Sequence, residues 1–365
     1  MKHRTTTGAA TLVLACLTAA TTVSTASACT DFKVKSTDGN VVAARSMEWG
    51  ADLKSRIVVH SRGEERLSKT PSGADGMRWK TTNGFLAVDA LGLDVVVDGV
   101  NEKGLSFGLL WFPDYTQYAA LKPGSESSAI NITDLGHWLL GTCTTVDDAK
   151  KALANATIFA TNIPSFGGIP TAHVALHDAA GNSAVVEVIG SRQLVMDNPG
   201  GVLTNAPPLE WQLINLKNYI HVDASNPEPM QVAGTVLGSP GQGGGFLGIP
   251  GDWTPPSRFV RTSAMLHFAK PASDRTGAVN VATHILNAVD IPRGDVREKV
   301  AGQDFTDYTQ WVVIKDLSGK SLYFRSYDNM NLRKIDMTKL DFSPGKPPRF
   351  FPIAGGAAAM EVNPE

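Results

Sequence analysis

The chain has 365 residues, of which 42% are hydrophobic and 19% charged, and its formal net charge is −2. That length suits one large domain or two small ones and can bury a sizeable core. The near-neutral balance gives no electrostatic case for nucleic acid or an anionic membrane as partner. No apolar run reaches the ~20 residues that a transmembrane helix needs.

Residues 1–28 differ from the rest of the chain. "MKHR" is a short basic head, "GAATLVLACLTAA" is an apolar stretch too short to span a bilayer, and "TTVSTASA" is a small, polar tail ending Ala26-Ser27-Ala28. In this order they read as a secretory signal cut after Ala28, so the expected location is periplasmic or secreted. The rival is a lipobox, "VLAC", ending on Cys16. Cleavage after Ala28 removes Cys16 and leaves Cys29 and Cys143. Two cysteines in a secreted chain of this size are no disulfide scaffold, although a Cys29–Cys143 pair stays open. Cys143 ends an apolar helical pattern and reads as a small buried residue.

Residues 29–365 read as one domain. "CTDFKVKS" alternates like a strand, "TDGN" is a turn and "VVAARSM" a second strand, so the mature protein opens on a hairpin. "RIVVHSR" is a further strand, and "DVVVDGVNEKGLSFGLLWF" is strand, turn and strand. Helical spacing first appears at "NITDLGHWLLGTC" and then at "TTVDDAKKALANA", where Thr145 and Asp148 have capping-box spacing. "TAHVALHDAAGNSAVVEVIG" is a hairpin turning at Ala180-Gly181-Asn182. "GGVLTNAP" is a short strand ending on Asn205, and "LEWQLINLKNYI" an amphipathic helix. A Gly/Pro-rich loop spans about 226–256, helices come next at "SRFVRTSAMLHFAK" and "AVNVATHILNAV", and strands return at "TQWVVIKD" and "KSLYFRS". This order predicts an α+β layered fold with largely antiparallel sheets.

Cys29 is the sharpest chemical feature. Once it is residue one, it carries a free α-amine, pKa about 7.7–8.0, beside a thiol of about 8.5. A neutral amine accepts a proton and a thiolate attacks, so one residue supplies both base and nucleophile. The competing readings are an inert small residue at a strand start, or a lipid anchor, for which "TASAC" lacks the large apolar residue. Arg45 and Glu48 in "ARSMEWG" lie on the second strand. An arginine beside the thiol favours thiolate, and a carboxylate there holds an ammonium; a solvent-facing pair is the plainer alternative. His173 and His177 in "HVALH" stand four strand steps apart, roughly 13 Å, too far to share a zinc, and are expected to be structural. "GGGFLG" matches a dinucleotide fingerprint formally, yet the prolines of "IPGDWTPPS" are expected to keep a helix from starting after it. No metal or cofactor is expected.

Five segments together resemble the choloylglycine hydrolase family of N-terminal nucleophile hydrolases, which includes bile salt hydrolases and penicillin V acylases. They are "CTDF" at Cys29, "RSMEW" at Arg45, "DGVNEKGLSFGLLWFP", "GVLTNAPPLEW" around Asn205 and "GIPGDWTPPSRFVR" around Arg258, in family order over nearly the whole mature chain. The resemblance implies a four-layer αββα sandwich and hydrolysis of a linear amide through an acyl-thioester on Cys29. It implies that Arg45 and Arg258 lie near the sulfur, that Asn205 donates to the oxyanion with a backbone N–H near Trp111, and that the protein is a homo-oligomer, a tetramer. Two departures stand out: Glu48 where the family has Asp, and Trp111 where bile salt hydrolases have Asn and many penicillin V acylases Tyr. Trp111 offers a broad apolar wall to the substrate, similar to the Gram-negative-type branch that acts on penicillin V and N-acyl homoserine lactones. The expected substrate is therefore a small N-acyl amide of that type, with conjugated bile salts as the alternative. A non-catalytic secreted binding protein and a papain-like protease are the remaining contenders; the second needs a histidine partner and a helix-opening cysteine.

Overall fold

The computed structural model describes residues 28–300 and 303–359. The expected signal peptide, Cys16 included, lies outside the described residues except for Ala28.

Two antiparallel sheets form the centre. The first has seven strands: Val202–Leu203, Cys29–Lys35, Val41–Trp49, Gln303–Asp316, Ser321–Ser326 and Asn329–Asp336 in spatial order, with Val296–Val300 also paired to Gln303–Asp316. The second has eight: Arg192–Asp197, Ser183–Ile189, Ala172–His177, Ser106–Trp111, Leu93–Asn101, Phe85–Ala90, Arg56–His60 and Arg349–Pro352. Strand alternation sorts the second sheet's side chains into two cores. Leu110, Ala175 and Val185 face the first sheet and share a core with Met47 and Trp311. Val174, Leu176 and Val186 face outward and pack with Leu135, Leu139 and Leu140 of the helix Leu135–Thr142 and with Val146 and Leu153 of Val146–Leu153. The helices Pro255–Phe268 and Arg275–Asn287 lie against the first sheet. The layers are thus helix, sheet, sheet, helix, the expected α+β sandwich.

The opening hairpin forms as expected, with Cys29 opposite Met47 and Asp31 opposite Arg45. The Thr145–Asp148 capping box is present. Several strands, among them Phe85–Ala90, Arg192–Asp197 and Asn329–Asp336, are not anticipated from the sequence, and three segments that are read from it differ. The helix after Pro208 ends at Asn215 and tightens into a 3₁₀ turn, Leu216–Tyr219. Residues 226–256 contain a small exposed hairpin, Met230–Val232 with Thr235–Leu237. Pro255 and Pro256 open a helix instead of forbidding one, because the first helical N–H groups have no intrahelical acceptor to lose.

One irregularity makes room for a site. The strands Leu93–Asn101 and Ser106–Trp111 pair from Val100↔Ser106 only as far as Asp98↔Gly108. Beyond that point they splay, and the opening is lined by Val95, Val97, Leu109 and Trp111.

Candidate active site

Cys29 starts its strand at the edge of this opening and is buried. Its sulfur lies 3.6 Å from Arg45 Nη2 and 3.8 Å from the Met47 sulfur. Arg45 is held from the second sheet, donating to the carbonyls of Val97 and Leu109, on the two strands that have parted. The splay thus does two things: it leaves carbonyls for the guanidinium and space for a ligand. Arg45 is kept charged despite its burial by Cys29 and Asp98.

The nitrogen side of Cys29 is built by other residues. Its backbone N–H donates to Asn205 Oδ1 at 2.7 Å. The same oxygen accepts from Arg258 Nη2 at 2.8 Å. Arg258 Nη1 donates to the Cys29 carbonyl and, at 2.7 Å, to Thr30 Oγ1. Asn205 Nδ2 donates to the Trp111 carbonyl at 2.8 Å. Asn205 and Arg258 come from segments far apart in sequence, the stretch after Val202–Leu203 and the first turns of the helix Pro255–Phe268. His173, one of the two histidines expected to be structural, supports this corner. Its Nε2 is 2.7 Å from the Thr204 carbonyl and its ring stacks on Phe112 at 4.3 Å.

Glu48 is buried at the far end of the second strand, its Oε1 accepting from Thr309 Oγ1 at 2.8 Å. Its backbone N–H donates to the Ala28 carbonyl at 2.9 Å. The partner strand bulges between Thr309 and Trp311, which brings Thr309 opposite Glu48. In this chain, where Cys29 is still joined to Ala28, burial pushes the Glu48 carboxyl up to about 8, against the pull of Arg258. Burial also lowers Arg258.

The pocket in front of the sulfur is almost wholly apolar. Trp49, Trp111 and Phe166 form an aromatic cluster with centroids 5.4–5.5 Å apart, and Met47, Leu53, Leu93 and Ile132 complete the walls. Trp111 therefore lines this pocket as an apolar wall. Cys29 and Cys143 are not joined in a disulfide, and burial pushes Cys143 up to about 11, the mark of an inert thiol.

Between the sheets lies a buried ionic chain that the sequence does not reveal. Asp98 Oδ2 is 3.6 Å from Arg45 Nη1 and 2.8 Å from Lys315 Nζ; Lys315 is 3.8 Å from Asp31, and Asp31 is 2.6 Å from His177 Nε2. Burial alone raises Asp31, but His177 and Lys315 together hold it below its ordinary value, whereas burial prevails at Asp98 and raises it. The one sequence signal is parity, since Cys29 and Asp31 share a face of the opening strand. Lys315 lies far along the sequence, directly after the apolar run Trp311–Ile314 of its strand, and pairing at Val313↔Arg45 brings that strand beside Arg45.

Among the described residues one group has metal-ligating composition: His60, Asp94 and His137, with ligand atoms within 4.8 Å of one another. Arg66 already bonds Asp94 at 2.9 Å and Glu64 at 3.0 Å, so a guanidinium takes the cation's part there. Burial lowers His137 to about 4.

The family model of the linear amide C–N hydrolases, choloylglycine hydrolase family, matches residues 29–347. A bile salt hydrolase/transferase from Clostridium perfringens is 31% identical over 317 residues, which is 85% of this chain and 93% of the relative. A penicillin V acylase from Pectobacterium atrosepticum is 24% identical over 342 residues, 88% of this chain and 82% of the relative. A variant of the conjugated bile acid hydrolase from Clostridium perfringens superposes with a TM-score of 0.78 at 27% identity, over 92% of this chain and 99% of that one. The penicillin V acylase from Agrobacterium tumefaciens shares the fold at 24% identity, with a TM-score of 0.70 over 88% of this chain and 91% of that one. The chain belongs to the choloylglycine hydrolase family of linear amide C–N hydrolases.

Proposed function

We propose that the protein is a secreted or periplasmic acylase in which Cys29, exposed as the first residue by removal of residues 1–28, hydrolyses small N-acyl amides of the penicillin V or N-acyl homoserine lactone type. The observation that carries this reading is the Cys29 sulfur beside Arg45, at the floor of an apolar, aromatic-walled pocket. The family match also begins at Cys29.

On this reading the α-amine takes the thiol proton as Sγ bonds to the amide carbonyl carbon. The resulting oxyanion meets Asn205. An amide nitrogen carries two hydrogens; Trp111's carbonyl takes one, and the other is assigned to the oxyanion. The α-ammonium then protonates the leaving amine, the C–N bond breaks and a thioester remains. Water gives a proton to the Cys29 α-amine as its oxygen adds to the thioester carbon; the C–S bond then breaks, the α-ammonium returns the proton to sulfur and the acid is released. Arg45 stabilises the thiolate, Arg258 fixes the Cys29 carbonyl and Asn205, and Glu48 is the nearby carboxyl toward which the new ammonium is drawn. Trp111 and its aromatic neighbours hold the acyl group. No step calls for a metal or cofactor.

Conjugated bile salts are the second reading, favoured by the bile salt hydrolase names among the relatives. A substrate panel on processed protein separates the two: higher kcat/KM for penicillin V or acyl homoserine lactones supports the first, and higher kcat/KM for conjugated bile salts overturns it. A homo-oligomer is part of the proposal, supported by the exposed apolar side chains Met230, Val236 and Leu237 of the small hairpin.

A further inference from the structure

We propose that Lys315 and Asp98 are positioning residues for the reaction at Cys29, acting through the Arg45 guanidinium. The inference rests on the reading of Cys29 as nucleophile. Three strands of the first sheet supply Asp31, Arg45 and Lys315, and the second sheet supplies Asp98 and His177. Each of these side chains is almost fully buried. Outward from the sulfur, Arg45, Asp98, Lys315 and Asp31 alternate in sign, and the chain ends at His177, whose Nδ1 lies 2.6 Å from Ser183 Oγ.

Alternation matters because charge is poorly screened here. Arg45 has two neighbours of interest, the sulfur at 3.6 Å and Asp98 at 3.6 Å. A carboxylate answered by Arg45 alone would cancel much of the field that Arg45 sends to the sulfur. Lys315, closer to Asp98 at 2.8 Å, answers that carboxylate instead. Arg45 is left to the thiolate. The backbone is shaped for this arrangement: a Cβ on Gly108 would stand 2.9 Å from Asp31 Oδ2 and 3.5 Å from Asp98 Oδ2, so the facing strand has no side chain where the two carboxylates pass. The other charged groups near the sulfur are Arg258 and Glu48 on the helix side, and the α-amine after processing.

Two substitutions therefore act with opposite signs. Lys315→Met leaves Asp98 drawing on Arg45 and disfavours the thiolate. Asp98→Asn removes the competitor and favours it. Effects of about tenfold in each direction correspond to a shift of roughly one pH unit, ordinary for a charge change near a buried group.

The test uses processed enzyme and measures iodoacetamide alkylation of Cys29 against pH, alongside the pH profile of kcat. The expected result is slower alkylation at pH 7 in Lys315→Met, faster alkylation in Asp98→Asn, and near-wild-type rates in Lys315→Arg and in the double variant Lys315→Met/Asp98→Asn. Should Lys315→Met fail to fold, because it strands buried carboxylates, Asp98→Asn and the double variant still carry the sign. Equal alkylation profiles in Asp98→Asn and wild type overturn the proposal, as do shifts of the same sign in both single variants. Wild-type enzyme that keeps its activity after Cys29 is alkylated overturns the underlying nucleophile reading as well, and so is distinguishable from failure of the positioning role alone.

Discussion

Asn205 is the residue where most of the site's geometry meets. It accepts from the Cys29 N–H and from Arg258, and donates to Trp111. Asn205→Ala removes the assigned oxyanion donor, and kcat is expected to fall by on the order of 10²–10³ with KM much less changed. A rise in KM with kcat unchanged would assign Asn205 to substrate binding only. Glu48 supports a prediction about stability. In the chain still carrying Ala28, its carboxyl sits at about 8, above its ordinary 4.5, because burial disfavours the charge. The folded state therefore binds this proton more tightly than the unfolded state. The stabilising contribution is full below about 4.5 and is lost as pH rises toward about 8. Asp307, pushed up by burial to about 7, has the same sign. His137, lowered to about 4, works the other way up to about pH 6.5, so the comparison is between proteins: in thermal melts of unprocessed protein, Glu48→Gln, neutral throughout, is expected to lose less Tm between pH 5 and pH 8 than wild type. Parallel curves for the two proteins would rule this out.

At the scale of elements, close backbone approach decides what the sandwich tolerates. The helix Leu135–Thr142 rests on Gly99 of the second sheet, where a Cβ would come within 2.6 Å of Leu140 Cδ1 and 2.7 Å of the Leu86 carbonyl oxygen. A carbonyl in a paired strand has nowhere to go, so Gly99→Ala is expected to destabilise by about 1–3 kcal/mol, read from denaturant midpoints. Thr145→Ala should cost about 1 kcal/mol through the lost capping box. Much of this level was legible in the sequence. The opening hairpin, the turn at Gly181 and the Thr145–Asp148 cap rest on local rules of alternation, turn chemistry and capping. Cys29, Arg45, Asn205, Arg258 and Trp111 were legible as a group only through the order of the five family-like segments. Lys315 and Asp98 were hidden, because a charge at the end of an apolar run announces nothing until the partner strand is known. The splay after Asp98↔Gly108 was hidden for the same reason: it depends on where two strands stop pairing.

For the whole molecule, the two sheets hold the chemistry between them, while the exposed hairpin at residues 230–237 stands outside that sandwich. If this hairpin is the contact between copies, replacing Met230, Val236 and Leu237 by serine should shift the protein to smaller species in sedimentation while the thiol site keeps its alkylation rate. An unchanged mass would place the interface elsewhere. In the proposed mechanism a cut before Cys29 creates the base its thiol needs. The most direct measurement pairs intact mass with amide hydrolysis for two forms of the protein, one processed by export and one purified with Ala28 still attached. The exported form is expected to begin at Cys29 and to hydrolyse its substrate, while the Ala28-extended form folds but is inactive, its nitrogen locked as the amide that donates to Asn205. Full activity in the extended form, or an active mature protein that begins elsewhere, would contradict it.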